Sequence, residues 1–253
     1  MARVLLAGES WINSATDHKG FDPFPHTQLQ IGCTELLAAL SERGHQVTHL
    51  RSHDVAELFP QEQAELDRFE VVILSDIGAN SLLLSPRVFA EGKTAPNRLH
   101  LLRDWVQAGG SLLMAGGYLS FQGFQAKANY AGTAIEEVLP VNLFRWDDRV
   151  ETPEGSRGEV QDSAHPIVAG LDRVWPPLLG YQQLRAKPEA EVLVRIGEDP
   201  LLTVWEYGQG RAAAYASDIS PHWASAEFMA WAGYGQLFGA LINWLARTDP
   251  SEV

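Results

Sequence analysis

The chain is short of cysteine and of positive charge, and each shortage excludes something. Its one cysteine, Cys33, leaves no intrachain disulfide to form. Nineteen Lys and Arg stand against 32 Asp and Glu, a formal net charge of −13 with no basic stripe. Nucleic acid and anionic membrane surfaces need clustered cations and are not expected partners. No apolar run reaches the roughly 18 residues of a membrane span, so no span is expected. The opening MARVLLAGES goes straight into a strand-like run, without the apolar region and cleavage site of a signal peptide, and a cytoplasmic location is the expectation. Repeats, low-complexity tracts and a clear linker are also lacking, so one domain, 1–253, is expected.

What is present is an alternation of two periodicities. RVLLAG (3–8), HQVTHL (45–50), FEVVILSDIG (69–78) and SLLMAGG (111–117) read as strands. LQIGCTELLAALSERG (29–44) and APNRLHLLRDWVQAGG (95–110) read as amphipathic helices, the first closed by Gly44. Leu29, Cys33, Leu36 and Leu40 fall at helical spacing, which places Cys33 on an apolar face as a structural thiol. In the second half AIEEVLPV (134–141) reads as a short helix and 146–160 as a charged loop or edge hairpin. AEVLVRI, PLLTVWEYG and GRAAAYASD form a strand series, with YGQGR a hairpin turn, and 232–247 is a closing helix. The fold class predicted is α/β: a flavodoxin-like three-layer sandwich, a mostly parallel sheet with helices on both faces and β-rich additions in the C-terminal half.

In such sheets ligands bind beyond the carboxyl ends of the strands. AGESW puts Glu9 and Trp11 at that rim, SDIGAN puts Asp76 and Asn80 there, GGYLSFQG puts Gly117, Tyr118, Ser120 and Gln122 there, and ASDISPHW adds Asp218 and His222. Any one of these serves equally as a cap, a turn former or a solvated loop residue. Together they load one edge of the sheet with polar and aromatic groups, the composition of a cleft. The turn GGYLSFQG lacks the spacing of G-x-G-x-x-G and the Lys of a P-loop, so no nucleotide cofactor is expected. His45, His49 and His53 are spaced by four, but no helix aligns them and no metal site is expected. His18 and His26 lie in a Gly/Pro-interrupted segment read as a loop able to fold over the rim, and Asp147–Arg149 is read as an exposed charge run, with a ligand-facing ion cluster as the alternative.

These motifs resemble the class I glutamine amidotransferase-like superfamily, and more closely its uncharacterised cytoplasmic branch. GESW, KGFDPF, SDIGAN, GGYLSFQG, AKANY, EEVLPV, DDRVETPEG, the GY at 180–181 and SDISPHW carry the likeness, which runs from Glu9 to Trp223. HPIVAGL and GRAAAYASDISPH are also similar to trehalose-utilisation-type proteins. The resemblance implies a strand-to-helix elbow of the form G-x-C-x-G. Overlaid on it, Gly116 takes the first glycine, Tyr118 the cysteine and Ser120 the last glycine. Glutamine hydrolysis needs a thiolate with a base beside it, so the expectation is a fold without that nucleophile. Either His222 or Asp218 overlays the family's histidine, and neither Ser220 nor Trp223 supplies its glutamate.

Two classes of function follow as expectations. One is a pocket for a small polar molecule, with Glu9, Tyr118 and His222 as candidate catalytic residues. Trp11, Asp76, Asn80, Gly117, Ser120 and Asp218 would contact the ligand, and no cofactor is required. The other is a non-catalytic assembly protein whose rim aromatics Trp11, Phe21, Phe24, Tyr118 and Trp223 form a contact surface. A homo-oligomer is expected, and a strict monomer with a closed, well-ordered pocket would favour the first reading.

Overall fold

Short runs that are apolar on both faces become the centre of a parallel sheet, because helices cover them from either side. Val71–Ser75 and Ser111–Ala115 are buried at every position. The computed structural model describes residues 1–161 and 163–248; the end of the expected domain, 249–253, lies outside the described residues.

Along the chain, β1 (Arg3–Gly8) leads into a hairpin of β2 (Ser10–Lys19) and β3 (Asp22–Ile31). Next come α1 (Thr34–Glu42), β4 (Gln46–Leu50), α2 (Ser52–Leu58), α3 (Gln63–Leu66) and β5 (Val71–Ser75). Then follow α4 (Ala79–Leu83), α5 (Pro86–Phe89), α6 (Arg98–Gln107), β6 (Ser111–Ala115) and α7 (Ala134–Val138). The second half holds β7 (Val141–Asn142), β8 (Arg149–Val160), β9 (Val174–Gln182), β10 (Arg185–Ala186), β11 (Glu191–Ile196), β12 (Asp199–Tyr207) and β13 (Gly210–Tyr215). It closes with α8 (Ala226–Met229) and α9 (Gly233–Ala246).

The main sheet has nine strands in the order β4-β1-β5-β6-β13-β12-β11-β8-β9. Its first four pairings are parallel and the remaining four antiparallel. The parallel strands, taken in chain order, give the flavodoxin-like sequence 2-1-3-4-5, whose order reverses between β1 and β5. On one face α1 packs with α9, and on the other α2, α4 and α6 pack together. The second group is fastened by the buried Arg98, whose guanidinium donates to the carbonyls of Leu82 at 2.6 Å, Ala56 at 3.0 Å and Val55 at 3.1 Å. These carbonyls lie in the last turns of α4 and α2, at the negative ends of the helix dipoles, and the Val55 carbonyl also accepts from Phe59 N at 3.1 Å. No helix among the described residues is long and apolar enough to cross a membrane.

Three readings of the sequence are corrected. The segment holding His18 and His26 is not a loop over the rim but the two long strands of the β2–β3 hairpin. The helix expected from 29 starts at Thr34, because Leu29 and Ile31 continue β3; Cys33 is the buried residue just before the helix. Residues 149–160 form β8, a twelve-residue strand paired with β9 and β11; its pairing with β9 is irregular between Glu151 and Ser156, around Pro153 and Gly155.

Candidate functional site

Two strands beside the reversal point end in the same way. Gly8 closes β1 at φ 113°, and a Cβ there would lie 1.7 Å from the Ser75 carbonyl oxygen. Only glycine lets the two strand ends approach this closely. The next residue in each strand, Glu9 (φ 48°) and Asp76 (φ 46°), takes the left-handed conformation that non-glycine residues seldom adopt. Such strain persists where surrounding structure over-determines it, and it concentrates at functional sites.

The twin turns send both side chains inward. Glu9 is buried; Ser75 Oγ donates to its Oε1 at 2.5 Å, and Ser220 Oγ lies 2.9 Å from its Oε2. Burial first, then the Asp218 and Asp76 carboxylates, hold the Glu9 carboxyl well above the usual range. Ser220 Oγ is also 3.1 Å from Asp218 Oδ1, and Asp218 Oδ2 is 3.4 Å from His222 Nδ1. A hydroxyl has one proton to give. Ser220 therefore donates to one of the two carboxyls, Glu9 or Asp218, and a proton on Glu9 would free it for Asp218; His222 Nδ1–H donates to the other oxygen of Asp218. The hydrogen bond to Asp218 raises the His222 pKa above its ordinary value, against the opposing effect of desolvation.

The turn after β6 is held through its backbone. Gly117 (φ 131°) offers its carbonyl to Gln182 Nε2 at 2.5 Å. Asp76 Oδ1 accepts from Leu119 N at 2.7 Å, and Ser120 Oγ accepts from Asp76 N at 2.9 Å. Asp148 accepts from Gln122 N at 3.0 Å and Gly123 N at 2.8 Å, and Asp147 accepts from Gln125 N at 2.9 Å. Burial pushes both Asp76 and Asp148 up to about 6, the Asp218 charge adding to the effect on Asp76. Residues 147–149 are therefore not a solvated charge run: they build the turn.

Tyr118 stands at the tip. Its ring meets His222 edge-on at 4.6 Å and Trp223 at 5.8 Å. The Arg149 guanidinium sits 4.7 Å from the Tyr118 ring centre and 4.4 Å from that of Phe124, and Asp147 holds it at 2.8 Å. The phenol donates to Glu151 Oε1 at 3.4 Å, and Trp223 Nε1 donates to Glu151 Oε2 at 3.0 Å. The phenol thus points away from Glu9, which reaches His222 only through Ser220 and Asp218.

These groups surround a cavity of about 310 Å³ lined by Trp11, Asp76, Tyr118, Asp218, Ser220, Pro221 and His222. Five of the nine expected site residues line it. Glu9, Ser120 and Gly117 lie behind it as supports. Asn80 is exposed in the first turn of α4 and does not line it. A larger cavity, about 460 Å³, runs along the edge strand β4 and contains none of the expected residues. Ser220, Arg149, Glu151 and Gln182 were absent from the expected set. Ser220 had a signal, two residues after Asp218 in the same strand-end loop, as did Arg149 in the charged cluster at 147–149. Cys33 lies 3.6 Å from both ring nitrogens of His49, but burial, then Glu9, pushes its thiol up to about 12, which keeps it protonated. Among the described residues no group of three or more His, Cys, Asp or Glu is arranged to hold a metal ion.

A family model described as "Putative glutamine amidotransferase" matches residues 3–247. The solved structure of cytoplasmic protein STM3548 from Salmonella typhimurium is 42% identical, covers 96% of this chain and 98% of its own, and superposes with a TM-score of 0.92. Cytoplasmic protein STM1381 from Salmonella typhimurium LT2 gives 40%, 96%, 99% and 0.91. A "Putative thua-like protein" from Parabacteroides merdae shares the fold at 13% identity and a TM-score of 0.58, covering 97% of this chain and 90% of its own. No functionally curated protein matches.

Proposed function

The chain belongs to the family described as "Putative glutamine amidotransferase", and from that premise we propose that its strand-end cavity binds a small polar molecule with His222 as the proton-transferring group. The observation that carries this reading is the Asp218–His222 pair opening on a cavity at the topological reversal of the sheet. Asp218 fixes the tautomer by accepting from Nδ1, which leaves Nε2 for the ligand; among the described residues no hydrogen bond to Nε2 is present. Asp76 and Ser220 supply further polar contacts, and the rings of Trp11 and Tyr118 form apolar walls.

A glutaminase reaction is not part of the proposal. The tip residue of the turn after β6 is a phenol, and Cys33 is a buried, protonated thiol on another element. The names of the two Salmonella relatives support a cytoplasmic setting. The test is a thermal-shift screen of the purified protein against polyols, amino acids, amines and small carboxylic acids, with hits titrated calorimetrically. A hit that binds wild type and loses at least tenfold in affinity in His222→Ala supports the reading. Absence of any hit, or hits indifferent to His222→Ala and Asp218→Asn, rejects it.

A further inference from the structure

The β2–β3 hairpin has almost no support from the rest of the chain. Its strands pair through ten rungs, from Ser10↔Ile31 to Lys19↔Asp22, yet every residue from Trp11 to Leu29 is exposed. Its base is tied where Ser52 N donates to Ser10 Oγ at 2.8 Å. Ten residues at about 3.3 Å each make an arm of about 33 Å. A two-stranded hairpin standing alone in water is marginally stable at best, so an arm of this length implies a surface that holds it.

Its two faces differ. Cross-strand partners share a face, and Ile12, Ser14 and Thr16 of β2 stand opposite Leu29, Thr27 and Pro25 of β3. That face holds no Asp, Glu, Lys or Arg; Asp17, Lys19 and Asp22 all belong to the other. At the tip Phe21 is fully exposed and Phe24 half so. Large aromatics in such positions are typical anchors of protein interfaces.

We propose that the hairpin is a self-association arm, its uncharged face and Phe21 docking on a second copy of the chain. Charge is compatible with that occupant. Two copies, each at −13, repel through most of their surfaces, whereas the arm carries only one Lys and two Asp. Its uncharged face brings no like charges of its own to the partner, and in a two-fold arrangement each arm lies on the same receiving surface of the other copy. The size also fits. One face, about 33 Å long and two strands wide, covers about 330 Å², so two exchanged arms with their receiving surfaces bury about 1,300 Å², the area of a standard stable interface. Trp11, at the base of the arm, is also a wall of the 310 Å³ cavity, so docking would fix that wall.

The experiment is sedimentation velocity on the full chain across a hundredfold concentration range at low and high salt. Three proteins are compared: wild type, Ile12→Lys/Leu29→Lys and Phe21→Asp. Wild type is expected to be a dimer or larger, tightened by salt as the repulsion is screened. Both variants are expected to shift to monomer by at least tenfold in dissociation constant, with circular dichroism and melting temperature of the body retained. A wild type that stays monomeric at tens of micromolar overturns the proposal, as does an oligomer that neither variant weakens.

Discussion

Nδ1 of His222 lies 3.4 Å from Oδ2 of Asp218, and this hydrogen bond is the largest influence on the histidine's titration. The charged form is favoured in the folded protein, so the folded pKa is above 6.5. The stabilisation is fully present below 6.5 and is lost as pH rises through the raised value. An NMR titration of the His222 ring should give a midpoint above 6.5, and Asp218→Asn should bring it down. A midpoint unchanged by Asp218→Asn would remove the pair from the mechanism.

Asp76 shifts in the same direction for a different reason, burial rather than an added partner. Its pKa rises from 3.8 to about 6, so folding favours the neutral acid. That contribution is present below 3.8 and disappears as pH rises through about 6. Asp76→Asn keeps an oxygen for Leu119 N and has no charge to bury. Melting temperatures measured from pH 4 to pH 7 should therefore fall less steeply in Asp76→Asn than in wild type.

Burial favours the neutral form of the Glu9 carboxyl, and two substitutions separate a neutral role from a charged one. Glu9→Gln keeps an acceptor for Ser75 and supplies a donor to Ser220, so urea unfolding should place it within about 1 kcal/mol of wild type. Glu9→Ala strands the buried Ser75 hydroxyl, leaves Ser220 only its Asp218 partner, and should lose about 1–3 kcal/mol. Equal, large losses in the two variants would show that the carboxylate charge itself matters.

Arg149 stacks on Tyr118 and Phe124 while bound to Asp147. Arg149→Ala should destabilise by about 1–2 kcal/mol and broaden the aromatic NMR signals of the turn. Arg149→Lys should recover little, because an ammonium lacks the planar face and fork of a guanidinium. Full rescue by lysine would mean that charge alone holds the turn.

Gly8→Ala tests the closure of β1 against β5. The added methyl meets a backbone oxygen and the residue would have to keep φ 113°, so neither partner can yield cheaply. A loss of about 4 kcal/mol or more is expected, read as soluble yield and cooperative melting.

The parallel half of the fold was legible because strands buried on both faces are written as continuous apolar runs, as in Val71–Ser75. The hairpin was not, because a strand exposed on both faces needs no alternation, and Pro23 and Pro25 argue against a strand on general grounds. Strand β8 was hidden in the same way by Pro153, Gly155 and its charges. The rim residues were legible by position, since each follows a strand. Their roles were not. Ser220 acts through Glu9, 211 residues away, and Trp223 through Glu151, 72 residues away. Asn80 shares the sequence signal of Asp76 but follows the chain into α4, away from the cavity.

The turn after β6 is gripped through the Gly117 carbonyl and the amides of residues 119, 122, 123 and 125. None of these restraints involves the side chain at 118. The backbone of the tip is thus set independently of the side chain it presents. Tyr118→Cys would place a thiol on the same backbone beside His222 while giving up the phenol's contacts with Glu151, Arg149 and Phe124.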